Sequence, residues 1–206
     1  MNLLFVHGWG FDRSFWQPLA ALLADLPQAI DDRGYFGTPE AVSSGGPCIA
    51  VTHSFGTMRV LAAPPAGLVG VLAINGFARF AASPDYPGVP PRVIDRMLRR
   101  FDETPRAVLS EFRRQCGGDA DFGEIDAALL HEDLSRLRHD EAPLPPVPVV
   151  SLQGTRDPLL PEAMRAQVFE GAAVRRVDCA DGGHLLPREA PEFCAGVLRD
   201  MIGMPA

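Results

Sequence analysis

The stretch Ile49-Ala50-Val51-Thr52-His53-Ser54-Phe55-Gly56-Thr57-Met58-Arg59 decides how this chain folds. A short apolar run rises to a serine, a glycine follows two residues later, and helix-compatible residues continue through Val60, Leu61, Ala62 and Ala63. That order predicts a strand, a sharp turn and a helix, with Ser54 on the turn. Such an elbow lifts a serine hydroxyl above a sheet edge and aims the next backbone N–H at a developing oxyanion. The usual pattern is G-x-S-x-G, and Thr52 stands where its first glycine would be. Strand and helix backbones approach closely there, so threonine is expected to be a strained substitute. By itself, S-x-G describes an ordinary strand-to-helix turn equally well.

Outward from the elbow, strands and helices alternate. Residues 3–6, 68–74 and 149–152 are apolar or nearly so, as parallel strands covered on both faces must be. Shorter strands are predicted at 28–30, 48–51 and 173–177, a turn at 43–47, and helices at 17–26, 162–169 and 191–201. The pattern implies an α/β fold with a mainly parallel sheet of about six strands flanked by helices. Residues 78–142 break the alternation with helical patterns at 92–101, 105–116 and 125–138. We read them as a lid inserted over one end of a core made of 1–77 and 143–206, with the proline-rich segment 143–148 as the return connection.

Composition narrows the function classes. At 206 residues the chain is expected to form one domain with a substantial core. A net charge of −7 argues against nucleic acid as the main partner, because phosphate binding needs a basic surface. All 19 basic residues are arginine, which leaves no lysine for Schiff-base chemistry. Cys48, Cys116, Cys179 and Cys194 lack C-x-x-C or metal-ligand spacing, so core thiols of a reducing compartment are expected. The first residues have no basic region before their apolar run, and no stretch approaches the roughly 20 apolar residues of a membrane helix. The expectation is a cytoplasmic protein with no membrane association.

Three loops then matter together. Ser54 follows one strand, Asp157 follows a later one in Gly154-Thr155-Arg156-Asp157-Pro158, and His184 sits in Gly182-Gly183-His184 before the last helix. Ligands of such sheets bind beyond the carboxyl ends of the strands, where all three lie. A hydroxyl nucleophile needs a base within reach and an acid that fixes the base's tautomer. Asp178 and Asp181 compete with Asp157 for the role of acid, although Asp181 is only three residues from His184. His7 reads as a brace for the loop after the first strand, and His53 as an elbow residue rather than a second base. Asp31 and Asp32 read as turn caps without a metal partner, and His131 and His139 as solvated.

Through His7-Gly8-Trp9-Gly10, the S-x-G elbow, G-x-x-D-P and the late G-G-H loop, the chain resembles the α/β-hydrolase superfamily over nearly its whole length. The resemblance implies a Ser54–His184–Asp157 triad, an oxyanion hole from the backbone N–H groups of Trp9 and Phe55, and no cofactor or metal. Two departures from that pattern are expected: a sheet without the leading strands of longer hydrolases, and a short segment before the elbow.

Within that superfamily, Trp9 after the H-G pair and Trp16 one turn later resemble the opening of the pimeloyl-acyl-carrier-protein methyl ester esterases of biotin synthesis. Residues 98–101 and 108–116 are similar to the helical lid of those enzymes. The resemblance implies an acyl-carrier protein as partner, a substrate site including Trp9 and Phe77, and carrier contacts among Arg99, Arg100, Arg113 and Arg114. A monomer is expected. The bland reading of the arginines is a solvated helix face laced with local ion pairs. Two other classes stay open: an esterase or lactonase for free small esters, which needs no basic lid, and a non-catalytic binding protein of the same fold.

Overall fold

The computed structural model describes residues 1–42, 45–144, 146–171 and 173–203. The turn expected at 43–47 and the connection at 143–148 lie partly outside them.

Six strands, β1 (Asn2–Val6), β2 (Gln28–Asp31), β3 (Cys48–His53), β4 (Leu68–Ile74), β5 (Val149–Gly154) and β6 (Val174–Cys179), form one sheet. Its order is β2-β1-β3-β4-β5-β6 and every neighbouring pair is parallel. The elbow strand β3 is central and buried along its whole length. Parallel strands require crossover connections, which put helices on both faces and explain the near-continuous apolar runs.

Apolar clusters cover both faces of the sheet. Trp16, Leu19, Leu23 and the last helix, α8 (Pro191–Gly203), pack one face with Leu3, Phe5, Val51 and Leu72. The other face carries α2 (Phe55–Ala62), which ends before Pro64-Pro65. The expected helix at 17–26 is shorter than the pattern suggests. α1 covers Gln17–Ala21, turns of i→i−3 type follow, and the Gln28 side-chain amide donates to the carbonyls of Ala20 and Leu23 there.

Between β4 and β5 run α3 (Pro91–Glu103), α4 (Pro105–Gln115) and α5 (Ala127–His139). Asp126 caps α5 by accepting the Leu129 N–H at 2.9 Å. The Ala142 N–H donates to the Ala78 carbonyl at 2.9 Å, so this excursion leaves and returns at one place. Ile94, Phe101, Leu109, Leu130 and Leu134 join Trp9, Phe55 and Phe77 in a single cluster. No helix among the described residues is long and apolar enough to cross a membrane.

Candidate active site

Ser54 closes β3 with φ 50° and ψ −124°, a conformation that strains any residue with a Cβ. The geometry persists because its surroundings over-determine it. The Ser54 N–H donates to Ile74 O of the neighbouring strand at 3.1 Å. A Cβ on Gly56 would stand 2.3 Å from Val6 O and 2.5 Å from His7 O, so only glycine lets α2 start against β1.

Thr52 is not strained, contrary to the expectation for the missing glycine. Its φ is not positive, and its hydroxyl lies 2.7 Å from Thr57 Oγ1 and 3.3 Å from Leu72 O. Room for this pair comes from Gly76, where a Cβ would fall 2.1 Å from Thr57 Oγ1.

Asp157 and His184 meet. Asp157 Oδ2 is 2.7 Å from His184 Nδ1, and both side chains are buried. The other oxygen, Oδ1, accepts the N–H groups of Leu159 and Leu160 at 2.7 and 3.2 Å. Burial is the largest single influence on the carboxyl and pushes its pKa up. The charge of His184, its hydrogen bond and the two backbone donors outweigh it, so the net pKa falls below the ordinary carboxylate value. His184 Nε2 is buried and has no hydrogen-bond partner among the described residues. Asp181 instead pairs with Arg156 at the surface. Of the competing acids, only Asp157 engages the histidine.

His7 accepts the Arg33 N–H on Nε2 at 3.0 Å, and its Nδ1 lies 2.9 Å from Gly8 O. A carbonyl only accepts, so the proton sits on Nδ1 and the ring ties two loops. His53 is fully buried, with its Nε2 2.9 Å from the carbonyl of His184 and its ring 4.4 Å from that of Phe15. Burial first, then the nearby His184, hold its pKa well below 6.5. His53 is therefore neutral with its proton on Nε2.

Over Ser54 lies a cavity of about 240 Å³. Trp9 and Phe77 line it from the sheet side, as do Val93, Ile94 and Met97 of α3, Phe112 of α4, Leu134 and Leu137 of α5, and Leu159 of the acid loop. Ser54 and Gln115 are its polar members, and among the described residues no charged side chain lines it. Trp9 is pinned there by its Nε1–H, which donates to Leu130 O at 2.8 Å, and by edge contact with Phe112. Phe55 is the first residue of α2, so helix geometry leaves its N–H without an intrahelical acceptor.

The four arginines expected to contact a partner separate. Arg113 is only 8% exposed: it bonds Asp119 and lies over the rings of Phe11, Phe36 and Phe122. This corrects the expectation, because a guanidinium sandwiched among aromatic rings presents no surface to a partner. Arg100 pairs with Glu111 across α3 and α4 at 2.6 Å, and Arg114 reaches Ser110. Arg99 is exposed and shares one face of α3 with Arg92 and Arg96, at i, i+4 and i+7. None of these three is paired among the described residues. Arg92 and Arg96 lie in the same arginine-rich stretch, and helical phase is what groups them with Arg99.

Sequence reasoning also passed over Asn75 and Glu189. The Asn75 amide spans two loops, and the Glu189 carboxylate accepts the N–H groups of Gly183 and Leu185 on either side of His184. His131 and His139 lie away from the site, paired with Asp102 and Ser135.

The sequence signature of the alpha/beta hydrolase family matches residues 3–197. The chain is 35% identical over 129 residues to the biotin biosynthesis bifunctional protein BioHC of Cellvibrio japonicus, covering 53% of this chain and 26% of that protein. It is 26% identical over 129 residues to a pimeloyl-[acyl-carrier protein] methyl ester esterase of Sodalis glossinidius, covering 54% of this chain and 50% of that one. These matches span between about a quarter and half of the relatives' length. Among solved structures, the esterase EaEST of Exiguobacterium antarcticum superposes with a TM-score of 0.80 at 14% identity, covering 98% of this chain and 92% of the other. The enol-lactonase of Burkholderia xenovorans gives 0.68 at 19% identity, covering 98% and 91%. At these identities the superpositions speak for the fold alone.

Proposed function

The chain belongs to the alpha/beta hydrolase family, and from that premise we propose that it is a serine carboxylesterase acting on the methyl ester of a pimeloyl chain held by an acyl-carrier protein. The observation that carries the esterase reading is the buried Asp157–His184 hydrogen bond, at the same sheet edge as the strained Ser54.

In this reading Ser54 Oγ attacks the ester carbonyl while His184 Nε2 takes its proton. Asp157 keeps the other histidine proton on Nδ1 and stabilises the imidazolium. The oxyanion faces the N–H groups of Trp9 and Phe55, and losing one such donor costs about 3–4 kcal/mol of transition-state stabilisation. Collapse of the tetrahedral intermediate breaks the C–O bond, and His184 hands its proton to the departing methoxide to give methanol. Water then attacks the acyl-serine with the same histidine as base, releasing the carboxylate and restoring Ser54. No metal or cofactor enters these steps.

Three features support the substrate. One relative is named a biotin biosynthesis bifunctional protein and another a pimeloyl-[acyl-carrier protein] methyl ester esterase. The cavity suits an uncharged methylene chain with a neutral ester at its end. Residues 78–142 act as a lid whose α3 presents Arg92, Arg96 and Arg99 beside the cavity residues Val93 and Met97, a basic row that suits an acidic carrier. The engagement of Arg100 and Arg113 within the protein favours a second reading, an esterase for free small esters.

A fluorophosphonate probe and paired rate measurements test both. Labelling at Ser54, lost together with turnover in Ser54→Ala, is the expected result. Labelling that persists in Ser54→Ala would sink the mechanism. A carrier-bound methyl ester should be cleaved with a far higher kcat/KM than the same free ester; equal values favour the second reading.

A further inference from the structure

We propose that Asn75 is a positioning residue of this site, and that its carboxamide holds the loop bearing the acid and the loop bearing the histidine in one register. The inference rests on the esterase reading above. Asn75 directly follows β4, the strand between the nucleophile strand β3 and the acid strand β5. It is fully buried and sits in the left-handed region with φ 46°, where asparagine is among the few residues with a side chain that settle readily.

Every polar atom of Asn75 that faces the site is used. Its N–H donates to Leu152 O at 2.8 Å. The Oδ1 atom accepts the Gly154 N–H at 2.8 Å, at the root of the loop that carries Asp157. The Nδ2 group donates to Gly183 O and His184 O, both at 2.9 Å. These partners settle the amide's orientation, since a flipped amide would aim its oxygen at two carbonyls and its N–H at a donor. The two loops touch directly as well: a Cβ on Gly154 would meet Gly183 O at 2.4 Å and Gly182 O at 2.5 Å. One side chain therefore fixes a contact between loops that approach each other 27 residues apart in the chain, at Asp157 and His184.

Asn75 does not line the cavity. Its loss should act on the chemical step and spare binding. Small misplacements of reacting groups lower rates by up to about 100-fold.

Two variants separate its contacts. Asn75→Gly keeps the backbone conformation and removes the whole amide. Asn75→Asp keeps an acceptor for Gly154 and removes both donors to the histidine loop. With p-nitrophenyl butyrate, both should lose about 10- to 100-fold in kcat with KM within about twofold of wild type, and phosphonate labelling of Ser54 should slow in step. Independently of turnover, the low-field proton resonance of the His184–Asp157 hydrogen bond should broaden or vanish in both. Val60→Ala, buried in a separate apolar cluster, serves as a control that lowers the melting temperature without touching these loops.

Unchanged kcat and an unchanged resonance in folded Asn75→Gly would overturn the proposal. So would an equal kcat loss in Val60→Ala, or failure of both Asn75 variants to fold, which would make Asn75 a folding determinant only. An inactive, unlabelled wild type would remove the esterase reading, while the resonance would still report whether Asn75 orders the pair.

Discussion

Asp157 Oδ2 lies 2.7 Å from His184 Nδ1, with both side chains closed off from solvent. The pair joins the loop after β5 to the loop after β6, and it singles out one carboxylate among three that sequence spacing left in competition.

If these groups act as a unit with Ser54, their effects should be grossly non-additive. Asp157→Ala is expected to lower kcat by roughly 10³- to 10⁴-fold. His184→Ala should lose more, and the double variant no more than His184→Ala alone. Asp178→Ala and Asp181→Ala should leave turnover nearly unchanged. A larger loss from either in folded protein would place the acid elsewhere.

His53 should make stability pH-dependent in a defined window. Its folded pKa is well below 6.5, so below that pH the unfolded chain binds a proton that the folded protein does not. This contribution is fully present above pH 6.5 and fades as pH falls from there, by up to about 1.4 kcal/mol per pH unit. Asp157 is depressed rather than raised, so its share is lost only in the acid range below 3.8. Urea unfolding between pH 7 and 5 should show a flatter slope in His53→Gln, which keeps a donor for His184 O without titrating. An identical slope would show that other groups govern this window.

Two glycines should respond in opposite directions. Gly56→Ala forces a methyl into the carbonyls of Val6 and His7 and should destabilise by about 1–3 kcal/mol or more, with loss of turnover. Gly196 lies inside α8 with open space around it, so Gly196→Ala should stabilise by about 0.5–1 kcal/mol. Thermal melts of the two variants check both signs.

The arginines of residues 78–142 should divide by burial. Exposed ion pairs are worth only about 0–1 kcal/mol each, so Arg96→Glu with Arg99→Glu should slow a carrier-bound ester severalfold at low salt and less at high salt. Hydrolysis of p-nitrophenyl butyrate should not change. Arg113→Ala should instead lower stability by about 1–3 kcal/mol, because it removes packing on three rings and the bonds to Asp119. Equal losses on both esters from the α3 pair would assign that row a structural role.

Much of this molecule was set by local chemistry that a sequence displays. Apolar runs too short for helices announced most of the parallel strands, and Ser54, Asp157 and His184 each stood in the loop after a strand. The tertiary structure alone decided which of those loops touch. Strand order brings Asn75 beside Gly154 and His184, residues 79 and 109 positions away, and no local pattern encodes such a pairing. It also decided that Arg113 lies among aromatic rings while Arg99 faces solvent, because a residue's charge does not report which neighbours folding brings over it. Thr52 shows the same limit: whether the elbow tolerates it depends on Gly76 of the next strand's end, a neighbour in space and not in sequence.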